Sequence, residues 1–179
     1  MPNFYSHLVL SKIILEKDFK SNFDSMDLNN FYFGSVSPDI GYFSKIERKI
    51  THFYEKNPEN FFGKDSIFEI SFLKGYNLHL HFDNVWKYEI RLKNEISIEE
   101  NSKIYAYLDE FLKSMFKLDF DYFLPHVIGG NCDFLKKLGI EKEICERWKK
   151  KSIYKISEFK TNENYQKVVD EYLKLLKVD

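Results

Sequence analysis

At 179 residues, with 27 basic and 28 acidic side chains and a net charge of −1, the chain carries no electrostatic footprint for nucleic acid and is long enough for one substantial core. Its 44% apolar content is that of a globular protein, and no uncharged apolar run is long enough to cross a bilayer. Aromatics reach 18%, which fits either a lipid-accommodating surface or a coding bias towards Phe, Tyr, Asn, Ile and Lys.

Helical periodicity dominates and hairpin signals are scarce, so the expected fold class is all-α, a single domain over 1–179. Asn3 can cap a first helix running to about Lys17, with His7, Leu10, Ser11 and Ile14 along one face. Asp27 can cap a shorter helix through Phe33 that ends at Gly34, and residues 35–39 read as a turn around Pro38. Another short helix over 45–55 carries His52, and 57–64 reads as a loop with Pro58 and Gly63.

The longest and most apolar helix is expected at about Asp65 to Lys93, followed by one from Ile98 to about Phe116. Leu118 to Gly139 is broken by Pro125, Gly129 and Gly130, and short helices at Glu141–Lys150 and Asn162–Lys177 close the chain. The N-terminus lacks the basic and small-residue features of a secretory signal. Cys132 and Cys145 lack metal-type spacing and read as buried or idle thiols, so a cytoplasmic location is expected.

The chemistry-bearing residues cluster in the first half. In Gly75-Tyr76-Asn77-Leu78-His79-Leu80-His81-Phe82-Asp83, the i, i+4 spacing puts His79 and Asp83 on one helix face. Imidazole and carboxylate are both good Zn²⁺ ligands. Asp83 lies among apolar residues, where an unpaired charge is costly. His81 faces about 200° away from His79 and reads as a surface or packing histidine. Taken singly, His7, Asp39 and His52 have structural readings: a core histidine, a turn residue or the cap of the next helix, and nothing in particular.

The order of these elements resembles the zinc-dependent phospholipase C family, whose superfamily includes the single-strand-specific zinc nucleases. The matching residues are His7 in the first helix, Gly34-Ser35-Val36-Ser37-Pro38-Asp39, Thr51-His52-Phe53, and the Gly75 to Asp83 segment, together spanning roughly 1–90. The resemblance implies a multi-helix bundle with the metal site between helices. It implies one zinc held by Asp39, His52, His79 and Asp83, with Asp83 bridging towards a second ion bound by His7. In secreted relatives the α-amino group completes that second site; here Met1-Pro2 precedes His7 by only a few residues. A third zinc in the family uses a His soon after the Asp and then a His-x-x-x-Glu. Here Glu89 and Tyr105-x-x-x-Asp109 stand near those places, so a third site is absent or rebuilt from Glu89 and Asp109.

The function expected from this set is metal-dependent phosphoester hydrolysis of a phospholipid head group or a nucleotide. Zinc lowers the pKa of coordinated water to about 7, and Asp39 or Asp83 would orient that water or accept its proton. The alternative is a non-catalytic, metal-stabilised lipid-binding or interaction module that has lost the third site. Rival chemistries lack their signatures: there is no His-Asp dipeptide, no Gly-x-Ser-x-Gly and no phosphate-cradling glycine loop.

Overall fold

A computed structural model describes residues 3–18, 26–54, 56–152 and 163–178. Among them every regular element is helical: α1 (Phe4–Asp18), α2 (Leu28–Val36), α3 (Gly41–Ser44), α4 (Arg48–Thr51), α5 (Ile67–Asn84), α6 (Ile98–Phe116), α7 (Phe120–Gly129), α8 (Lys142–Ser152) and α9 (Gln166–Leu175). No helix among the described residues is long and apolar enough to cross a membrane.

Two helix starts show the local logic. Asp27 accepts from the Asn30 amide at 2.8 Å and caps α2. Ser66 and Glu69 form a reciprocal capping box at the start of α5, each side chain accepting from the other's backbone N–H. Helix α5 then continues without a break into a π-helical stretch, Val85–Arg91, in which the Leu92 amide reaches back to the Lys87 carbonyl at 3.0 Å. The long 65–93 element is therefore a single helical run with wider winding in its last third.

Helix α2 does not stop at Gly34 as its composition suggests; it runs on to Val36. The glycine serves packing instead. A Cβ at Gly34 would meet the Phe72 carbonyl oxygen at 2.1 Å, and one at Gly75 would meet the Phe31 carbonyl oxygen at 1.9 Å. Helices α2 and α5 thus cross backbone to backbone through paired glycines, a contact that no larger residue permits. Phe31, Phe33, Phe72 and Tyr76 fill the core around this crossing.

Helix α6 packs on the π-helical stretch, with the Trp86 indole 5.0 Å from the Tyr105 ring and its N–H donating to Asn101 Oδ1 at 2.8 Å. Buried Lys149 on α8 donates to the carbonyls of Ile128 (3.1 Å) and Gly130, satisfying the end of α7. Asn162, the expected start of the last helix, lies outside the described residues.

The cysteines differ from expectation. Cys132, opening the 3₁₀ turn Cys132–Leu138, is disulfide-bonded to Cys145 on α8, and both are buried. The fold brings them together because the turn reverses at Gly139, which adopts a positive φ of 77°. The idle-thiol reading is therefore replaced by a covalent staple. Such a bond persists in oxidising compartments, which removes the cysteine argument for a cytoplasmic location. With a sequence separation of 13 residues, the closed loop should stabilise the protein by about 2–3 kcal/mol. Urea unfolding with and without a thiol reductant checks this; coincident midpoints would show that the bond contributes nothing.

Candidate metal centre

The α2–α5 crossing builds one wall of the site. It carries His79 and Asp83 on α5 and delivers Ser35 and Asp39 from the end of α2 and the 3₁₀ turn Ser37–Ile40. The Ser35 carbonyl accepts from His79 Nδ1 at 2.9 Å, so Nδ1 carries the proton and Nε2 turns a lone pair inwards. His52 is oriented in the same way. It follows α4, and its Nδ1 lies 3.0 Å from Thr51 Oγ1, whose hydroxyl in turn donates to the Arg48 carbonyl at 3.4 Å. The Tyr76 hydroxyl donates to the Thr51 carbonyl and ties this segment to α5. Tyr76, one turn before His79, therefore positions His52.

The ligand-type atoms converge. His52 Nε2 lies 3.2 Å from Asp83 Oδ2 and 3.8 Å from Asp39 Oδ1; His79 Nε2 lies 3.5 Å and 3.8 Å from the same two oxygens. His7, fully buried on α1, stacks on the His79 ring at 3.7 Å and points Nε2 at Asp83 Oδ1, 3.4 Å away. Asp83 thus turns Oδ1 towards His7 and Oδ2 towards His52 and His79. Among the described residues, two sets of ligand atoms lie within 4.8 Å of one another: His7, His79 and Asp83, and Asp39, His52 and His79.

Hydrogen bonding among these groups is incomplete. Among the described residues, His7 Nδ1 and Nε2, His52 Nε2, His79 Nε2, Asp39 Oδ1 and Asp83 Oδ1 are buried without a hydrogen-bond partner. Inward lone pairs face carboxylate oxygens 3.2 to 3.8 Å away, acceptor against acceptor, an arrangement that is costly unless a cation or a proton lies between them. The donor set of neutral imidazoles and carboxylates is one a divalent transition-metal ion takes. These buried His and Asp groups could hold a metal ion, and the residues present fit one.

The electrostatics agree. Burial, with His79 alongside, holds His7 down to about 4, so it is a neutral ligand near pH 7. Burial also lowers His52. Burial pushes His79 down as well, but there it is overcome by Asp83 and Asp39, which raise it. Burial alone would raise Asp83; the charge of His79 and contacts from His52 and His7 hold its carboxyl well below the usual range.

Arg48 is a site residue that the sequence reading missed. Its Nη2 donates to Asp83 Oδ2 at 2.6 Å, Nη1 lies 3.7 Å from Asp39 Oδ1, and the tyrosine hydroxyls of Tyr42 and Tyr54 accept from Nη1 and Nε at 3.0 Å each. The available signal was its i, i+4 spacing from His52 in the same short helical segment.

The remaining named residues lie elsewhere. His81 is exposed. Glu89 is exposed and pairs with Lys93 at 3.9 Å. Asp109 is buried but accepts from Asn3 Nδ2 at 2.8 Å and from the Ser6 hydroxyl, holding the start of α1 against α6. Neither Glu89 nor Asp109 belongs to the converging sets. The α-amino group of Met1 lies outside the described residues.

The cluster opens into a cleft of about 1090 Å³ bounded by α4, the π-helical stretch and the start of α6. Compared with known proteins, the chain matches no family model, no curated protein and no solved structure.

Proposed function

We propose that the protein is a zinc-dependent phosphoric ester hydrolase. In this reading Asp39, His52, His79 and Asp83 hold one zinc, and His7 with Asp83 Oδ1 serves a second. The observation that carries the reading is the set of buried, unpartnered ligand atoms on His7, Asp39, His52, His79 and Asp83, of which Asp39, His52 and Asp83 line an open cleft. Zinc bound there supplies a Lewis acid for a phosphoryl oxygen and makes water acidic enough to attack near neutral pH.

The chain's own residues do the rest. Asp39, the more open of the two carboxylates, accepts a proton from the attacking water. Arg48, clamped by two tyrosine hydroxyls, lines the cleft with N–H groups to spare for a phosphoryl oxygen, where its fixed charge offsets that of the transition state. The substrate is a phosphoester carried by a phospholipid head group or a nucleotide.

Single-turnover hydrolysis of bis(p-nitrophenyl) phosphate by zinc-loaded protein should exceed that of His79→Ala by roughly 100-fold or more. A non-catalytic, metal-stabilised module would bind zinc yet show no rate above that control.

A further inference from the structure

The place where the resemblance implies a third metal is chemically wrong for a cation. Asp109, the carboxylate expected there, is engaged by Asn3 and Ser6, and Glu89 points to solvent. The side chains that reach the cleft on this side are hydrogen-bond donors. Tyr105 is only 6% exposed, yet its hydroxyl has no partner among the described residues, and it lines the cleft. Arg91 lines the same cleft, and its Nε is buried without a partner. Asn101 uses its oxygen for the Trp86 indole, which leaves its amide N–H groups free to donate. Apart from Asp39 and Asp83, every charged residue lining the cleft is basic: Arg48, Lys87 and Arg91.

The π-helical winding accounts for the presence of Arg91. On an α-helix it would sit about 140° from Trp86. With i→i+5 winding, residues five apart come nearly into line, so Arg91 follows Trp86 onto the face that meets α6. The unusual segment thereby puts Arg91 in the wall of the cleft that Tyr105 also lines.

We infer that Arg91 and Tyr105 form an anion subsite, separate from the metal cluster, that takes a second phosphate group of the substrate. The inference deepens the phosphoester reading by giving the substrate two anionic groups, one at the cluster and one beside α6. The Tyr105 hydroxyl and the Arg91 Nε each lack a partner that a phosphate oxygen supplies, and the guanidinium–phosphate bond is the stronger of the two.

The test uses the full chain, chelator-treated, so that its outcome does not depend on zinc or on hydrolysis. Inorganic pyrophosphate titrated calorimetrically should bind saturably. Arg91→Gln should weaken binding by about tenfold or more, and Tyr105→Phe by about threefold. Arg91→Lys, which keeps the charge, should retain more binding than Arg91→Gln, and this separates loss of the subsite from a general packing defect. Absence of saturable binding up to about 10 mM overturns the proposal, as does equal binding by wild type, Arg91→Gln and Tyr105→Phe. Competition with a 5′-phosphorylated dinucleotide and with glycerophosphoinositol phosphate identifies the source of the second phosphate. Bound pyrophosphate that neither displaces overturns its assignment to substrate.

Discussion

Zinc at about a thousandfold excess over its dissociation constant should raise the unfolding free energy of chelator-treated protein by about 4 kcal/mol, and His79→Ala should lose nearly all of that gain. The size follows from linkage, since only the native chain gathers His52, His79, Asp39 and Asp83 within ligand distance. Protons give the same experiment a second reading. His79 is raised above 6.5 by Asp83 and Asp39, so at pH 6 it holds a proton that an incoming ion must displace. His7, held near 4, has none to give. Metal uptake at pH 6 should therefore release about one proton, and affinity should fall as the pH drops below the raised value of His79. Urea unfolding with zinc or chelator measures the first effect, and binding enthalpies in buffers of different ionisation heat measure the second. A gain that survives intact in His79→Ala would move the ion away from this cluster.

Part of the cluster was readable from the sequence because one of its spacings is local. His79 and Asp83 are one turn apart, and an apolar helix around a carboxylate requires a partner for it. The apolar face of α1 put His7 in the interior, where it is completely buried, but its ligand role, like those of Asp39 and His52, came only from the family resemblance. The unread features are those that depend on contacts between distant segments. Gly34 looked like a helix stop because glycine weakens helices; the crossing with Gly75, which overrides that preference, pairs residues far apart in the chain. The cysteine pairing depends on how the 3₁₀ turn lies against α8. The π-winding after Asn84 was not read because the apolar residues of Val85–Arg91 do not by themselves distinguish it from a continuing α-helix. For the same reason Arg91 could not be assigned a face, and Tyr105 drew notice only as the residue standing where the family has a histidine.

Gly75→Ala tests whether the site depends on the helix crossing. The added methyl group would lie 1.9 Å from the Phe31 carbonyl oxygen and 2.8 Å from the Ser35 amide, both backbone atoms that no rotamer change can move. The helices must separate instead, loosening contacts among Phe31, Phe33, Phe72 and Tyr76. We expect a loss of about 3–4 kcal/mol, at or beyond the upper end of ordinary overpacking. The same separation draws the Ser35 carbonyl away from His79 Nδ1, the bond that fixes its tautomer, and shifts Asp39 relative to Asp83. Zinc affinity should therefore fall by about tenfold to a hundredfold even at temperatures where the variant is folded, because disturbing the groups that orient a ligand has that effect. Leu78→Ala, a partly buried substitution on the same helix that leaves the crossing intact, should destabilise the protein while leaving zinc affinity close to that of wild type. If Gly75→Ala loses stability but binds zinc as tightly as the parent, the metal centre is held by α5 and the His52 segment alone, and the α2 contribution through Ser35 is dispensable.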